Sequence, residues 1–145
     1  MSIYTNVLVA VDLRVTHDVY TIERAIELSK KLKCQSLRFI HVMEPLYGYG
    51  AIEGNTLVEL EMKIATDARQ SFYDLVSRYD ITQEQLIIET GNPKVVIVDQ
   101  AKALDIDLLI VGGHALSGLR TIVGSTATGV INHAHCDVLT IRTAN

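Results

Sequence analysis

Cysteine is scarce. The 145-residue chain has two, Cys34 and Cys136, far apart and outside any Cys-x-x-Cys pair. That excludes a dithiol redox motif and a zinc knuckle, and each thiol reads as a small buried hydrophobe. Long apolar runs are missing as well, so no segment is long enough to span a bilayer. The start, MSIYTNVLVAVD, lacks a basic region followed by a long apolar core and a small-residue cleavage site. The expected location is therefore cytoplasmic, with no membrane partner. Charged residues make up 21% of the chain without forming a block, and the net charge is −4. An extended nucleic-acid surface needs clustered Lys and Arg to neutralise phosphates, so no nucleic-acid partner is expected. No Gly-Lys-Ser/Thr occurs, which rules out a Walker-type phosphate loop, and the absence of Gly-x-Ser-x-Gly removes the usual serine-hydrolase elbow. No second carboxylate is placed in the sequence to pair with Asp12 for acid–base work, so catalysis is not indicated.

What is present is enough apolar material, 48% of residues, for one ordinary domain spanning residues 1–145. A chain of this size buries about two-thirds of its unfolded surface without disulfides or a structural metal. Asn6 to Val11, NVLVAV, is continuously apolar, as a strand covered on both faces should be, and it ends in Asp12. Leu37–Val42, Leu86–Ile88, Ile106–Val111 and Val138–Ile141 supply four further strands. Ile22, Ala25, Ile26, Ser29 and Leu32 recur at helical spacing over about Asp18–Leu32. Leu57, Leu60, Ile64, Ala68, Phe72, Leu75 and Tyr79 do the same over Thr56–Tyr79, a long amphipathic helix expected to lie as a lid on the sheet. Val95–Val98 could pass for a strand, but Asn92 as N-cap, Pro93 at the first helical position, and Ile97, Ala101 and Leu104 favour a helix. Strands alternating with helices imply right-handed crossovers. The expected fold is α/β: a doubly wound, five-stranded parallel sheet with helices on both faces.

In such sheets ligands bind beyond the carboxyl ends of the strands, where the strand order reverses, so Asp12 and Gly112 should flank one crevice. The stretch Gly112–Thr126, GGHALSGLRTIVGST, follows the fourth strand and runs into a helical pattern. Glycines there let a backbone turn with φ > 0 and approach a ligand, and the free N–H groups of the next helix's first turn favour an anion. Gly124, Ser125 and Thr126 would form that turn, while His114 and Arg120 could add positive charge beside a phosphate. The alternative is a ligand-free turn closing a strand–helix unit. Asp12 could bond a sugar hydroxyl or base nitrogen, or accept loop N–H groups. The Gly/Tyr-rich segment Met43–Asn55 reads either as a cover over a ligand or as a surface loop. His133, His135 and Cys136 crowd together in NHAHCD, but at a helix end that favours histidine through its dipole and without an apparent fourth ligand; no metal site is expected.

These residues resemble the universal stress protein family along nearly the whole chain: NVLVAVD, LRFIHV, the Gly/Tyr-rich loop, the long second helix, GNP, DLLIVGGH and GSTATGVINHAHCDVLTIR. The resemblance implies a small cytoplasmic α/β domain, usually homodimeric, with a single Rossmann-like doubly wound five-stranded parallel sheet of order 3-2-1-4-5. It also implies ATP or AMP held at a loop of the form Gly, two residues, Gly, nine residues, Gly, Ser/Thr, with Mg²⁺ expected alongside ATP. Position by position, Asp12 and the main chain near Val42 look like the adenosine contacts, and Gly112 opens the phosphate loop. Gly124, Ser125 and Thr126 look like the turn that holds the phosphates. The pattern is departed from at Ala115, which stands where the second glycine belongs, and only eight residues separate it from Gly124. The family's dimers often pair their last strands, which here places an exposed edge at residues 137–142, DVLTIR.

Three functions follow as expectations. The first is a nucleotide-binding regulatory module. The second is slow ATP hydrolysis in the same site. The third is a dimeric stress regulator with an empty crevice, for which Ala115 and the short loop argue.

Overall fold

Strand β1, Asn6–Ala10, runs through the middle of the molecule with β2, Ser36–Met43, on one side and β4, Leu108–Leu116, on the other, both parallel to it. In this computed structural model residues 3–13, 18–45, 54–116, 120–122 and 125–143 are described. Beyond β2 lies β3, Leu86–Thr90, and beyond β4 lies β6, Asp137–Thr143, again parallel. These five strands form the parallel sheet expected from the sequence, in its order 3-2-1-4-5, with β6 as the fifth parallel strand.

Side chains alternate across that sheet because successive Cβ atoms of a strand point to opposite faces. Val7, Val9 and Val11 join Phe39, Leu108 and Ile110 on one face, beneath α1, Asp18–Lys31, and the C-terminal half of α2, Gly54–Val76. Leu8, Ile40, Val42, Leu109 and Val111 face the other way, beneath α3, Pro93–Ala103, and α4, Ser125–His133. Phe39 and Phe72 meet edge to face, ring centroids 6.3 Å apart, and lock α2 to β2. The helix expected from Asn92 and Pro93 is present as α3, and the Asn92 side chain accepts the Lys94 N–H at 3.3 Å. At the amino ends of the strands the Asp107 carboxylate takes the N–H groups of Thr5 (2.8 Å) and Asn6 (3.0 Å), which pins β1 beside β4.

Two expectations are corrected. The first concerns α2, which begins at Gly54 and gives way to a 3-10 turn at Ser77–Tyr79 instead of running as one helix to Tyr79. Only its C-terminal half serves as a lid: Phe72 and Val76 are fully buried, whereas Leu60 and Ile64, periodic with them, are exposed along with Val58 and Met62. A 23-residue helix is about 34 Å long at a rise of about 1.5 Å per residue, longer than any strand it covers, and its first turns overshoot the sheet.

The second correction concerns Gly112. The expected loop does not open there: β4 continues to Leu116, with Gly112, Gly113 and His114 paired to Ile141, Arg142 and Thr143 of β6. Positive φ is not what these glycines supply; among the described glycines only Gly91 has it. Gly113 instead serves close packing, since a Cβ there would stand 3.0 Å from Thr140 Cγ2. A short antiparallel strand, β5 at Arg120–Ile122, then pairs back onto His114–Leu116. His114 pairs with β6 on one edge and with β5 on the other, so β5 lies on the edge that β1 occupied lower down. The hairpin thus stands over the end of β1.

Candidate functional site

Where β1 ends, the sheet opens. The last ladder pairs of β1 are Ala10 with Ile40 and Ala10 with Val111, after which the Val11 N–H donates to the Ile40 carbonyl at 2.8 Å and the chain leaves the sheet at Asp12. Both neighbouring strands continue, β2 to Met43 and β4 to Leu116. The gap between them is a cavity of about 250 Å³ whose walls include Asp12, Val42, Ile97, Gly112, Ser125 and Thr126.

Each wall follows from local structure. Asp12 is half-buried at the mouth because it is the first residue past β1. In a strand, the N–H and C=O of one residue point to the same edge and those of its neighbours to the other. The Ile40 carbonyl faces β1, where it accepts Val11 N–H, and the Met43 carbonyl faces β3, where it accepts Gly91 N–H at 2.9 Å. Val42, two residues after Ile40, therefore turns its N–H and C=O towards the β1 side, into space that β1 has vacated. Ser125 and Thr126 are the first residues of α4, whose opening N–H groups have no intrahelical acceptor and carry the positive end of the helix dipole. Ile97 and Ala127 supply an apolar wall from α3 and α4.

A second cavity of about 500 Å³ adjoins the first through Pro93, Ser125 and Thr126, and is bounded also by Glu44, Gly91 and Lys94. Here the N-termini of α3 and α4 come together. The Lys94 stem lies against Gly129, where an added Cβ would approach Lys94 Cδ to 2.7 Å. The lysine thereby packs its stem from the first turn of α3 onto the middle of α4.

Of the residues singled out from sequence, Asp12, Val42, Gly112, Ser125 and Thr126 share the first cavity. The backbones of His114 and Ala115 lie farther along β4, in the hairpin, and that of Arg120 lies in β5. Gly124 lies outside the described residues, as do residues 46–53 of the segment read as a possible cover. Sequence reasoning missed His41, Pro93 and Lys94. The Asn92-Pro93 cap pointed to a helix start but not to its meeting with α4, and a histidine inside an apolar strand carries no mark of its partner. That partner is the Val11 carbonyl, 2.9 Å from His41 Nδ1.

Among the described residues no three His, Cys, Asp or Glu side chains gather as a metal site, and no helix is long and apolar enough to cross a membrane. Burial pushes the Cys34 and Cys136 thiols above their ordinary range, as suits partly buried apolar fillers.

The model of the universal stress protein family matches residues 3–142. Universal stress protein A homolog 2 of Coxiella burnetii is 36% identical over 143 residues, covering 98% of this chain and 97% of that protein. Among solved structures, universal stress protein UspA from Lactobacillus plantarum superposes with a TM-score of 0.70 at 30% identity, covering 96% of this chain and 98% of the other. A universal stress protein crystallised in complex with cAMP shares the fold with a TM-score of 0.64 at 22% identity, covering 99% of this chain and 100% of the other.

Proposed function

The chain belongs to the universal stress protein family, and on that premise we propose that it is a cytoplasmic regulatory module that binds ATP or AMP in the cavity beyond β1 and β4. The observation that carries this reading is the convergence of three different polar elements on one apolar-walled space: the Asp12 carboxylate, the turned-out main chain of Val42, and the N-terminus of α4. A carboxylate accepts from a ribose hydroxyl or a base amino group. A strand edge offering both a donor and an acceptor suits the hydrogen-bonding edge of a purine. A helix N-terminus suits phosphate.

Size supports the same division. The first cavity, about 250 Å³, sits near the lower end of small-molecule sites, about 300 Å³, and suits the nucleoside part. The adjoining 500 Å³ space takes the phosphates, between two helix N-termini and Lys94. The relative crystallised with cAMP, itself an adenine nucleotide, adds support. With ATP, Mg²⁺ accompanies the phosphates through phosphate oxygens and water rather than through a protein cage.

The working unit in this reading is a homodimer. Among the described strands β6 pairs on one side only, with β4, and its outer edge is a template for a second copy. Nucleotide occupancy at Gly112, which is paired with Ile141 of β6, would then be felt at the dimer edge.

The test is thermal unfolding with and without millimolar ATP and AMP, each with and without Mg²⁺. A ligand at about a hundredfold excess over its Kd adds about 2.7 kcal/mol, which raises Tm by roughly 4 °C or more. A tenfold or greater loss of affinity in Asp12→Ala should cut that rise to about half or less. No rise with any nucleotide would instead favour the regulator with an empty crevice.

A further inference from the structure

His41 is 7% exposed, a polar ring in a strand that is otherwise apolar at its buried end. It stands on the same side of β2 as Phe39, the face that α1 and α2 cover, and it also borders the cavity where β1 ends. Its Nδ1 lies 2.9 Å from the Val11 carbonyl and 3.5 Å from the Leu13 N–H. One nitrogen cannot donate to the first and accept from the second at once. The shorter contact decides: Nδ1 carries the proton and donates to Val11, and the Leu13 N–H sits at the outer limit of a hydrogen bond. Asp12 is the residue between.

The position of that bond matters. In a continued parallel ladder the carbonyl of Val11 would accept the N–H of Val42, the rung after Val11 N–H to Ile40 carbonyl. The imidazole takes the carbonyl instead. It halts the β1–β2 ladder one rung short and leaves the Val42 N–H facing the cavity. It also ties down the backbone on the N-terminal side of Asp12.

We propose that His41 is a positioning residue of the nucleotide cavity. By donating from Nδ1 to the Val11 carbonyl it aims Asp12 at the ligand and keeps the Val42 N–H available to the base. This rests on the nucleotide reading, but the hydrogen bond from His41 Nδ1 to the Val11 carbonyl can be tested apart from nucleotide binding.

The experiment compares His41→Asn, His41→Gln and His41→Leu. The amide nitrogen of asparagine falls near the place of Nδ1, that of glutamine near Nε2, and leucine keeps bulk without a donor. Isothermal titration with AMP should find His41→Asn within about threefold of the parent, and both His41→Gln and His41→Leu weaker by about tenfold, the scale of one hydrogen bond. Amide hydrogen exchange without nucleotide gives a second readout: the Val42 N–H should be more protected in His41→Leu than in the parent or His41→Asn, because the ladder closes by a rung.

Equal affinity in all three variants overturns the proposal. Retention in His41→Gln with loss in His41→Asn also overturns it, since the ring would then act through Nε2. A loss common to all three, with a matching fall in Tm, assigns a packing role and overturns it too. If the parent binds no nucleotide, the functional reading fails by itself, and Val42 exchange still decides whether His41 holds the ladder open. Should His41→Leu not fold, the contrast between Asn and Gln remains.

Discussion

Lys94 and Gly129 fit together as stem and slot: a Cβ built on Gly129 would lie 2.8 Å from Lys94 Cβ and 2.7 Å from its Cδ. Because Lys94 Cβ is tied to the backbone of α3, the helices themselves would have to separate to admit a methyl group. An alanine in a helix interior gains about 1 kcal/mol over glycine by propensity, while overpacking costs about 1–3 kcal/mol. Gly129→Ala is expected to lose stability on balance, by about 1 kcal/mol, and to weaken ATP more than AMP as Lys94 is displaced. Urea unfolding and parallel nucleotide titrations check both statements.

Asp107 anchors the opposite end of the strands. Its carboxylate accepts two backbone N–H groups, from Thr5 and Asn6, in a partly buried setting. Hydrogen bonds to a charged group contribute about 1.5–3 kcal/mol, so Asp107→Ala should cost about 2 kcal/mol or more. Nucleotide affinity at temperatures where the variant is folded should be unchanged, because the cavity lies at the carboxyl ends. A large affinity loss at unchanged stability would reverse that assignment.

The two thiols give a pH dependence. Burial is the main cause raising both Cys34 and Cys136, so the folded protein holds each proton to higher pH than the unfolded chain does. The associated stability is fully present below the unfolded thiol pKa and is lost as pH rises through the folded value. Unfolding free energy should therefore fall on the alkaline side, above about pH 8.5, and fall less steeply in Cys34→Ala/Cys136→Ala. Iodoacetamide modification of the native protein should be slower than that of the denatured chain at the same pH.

The strands and the helices between them were legible because each signal is local. A run such as Leu108–Val111 is apolar at every position, as a strand buried on both faces must be, and Asn92-Pro93 marks a helix start strongly enough to outweigh the strand-like Val95–Val98. The overshoot of α2 was not legible, since periodicity reports a face and not the length of what covers it. At Gly112 and Gly113 the sequence suggested a turn, whereas both continue β4 beside β6 and Gly113 packs too closely on Thr140 to carry a side chain, and nothing nearby distinguishes the two uses of glycine. His41 was hidden for another reason. Its partner, Val11, is 30 residues away, and the bond exists only because β1 stops where β2 does not.

The central claim is that Asp12, the Val42 edge and the first turn of α4 form one nucleotide site. Isothermal titration of AMP into the parent, Asp12→Ala and Asp107→Ala tests it most directly. The account predicts one site per chain in the parent, affinity about tenfold or more weaker in Asp12→Ala, and parent-like affinity in Asp107→Ala. Absence of binding to the parent, or equal binding by all three, would contradict it.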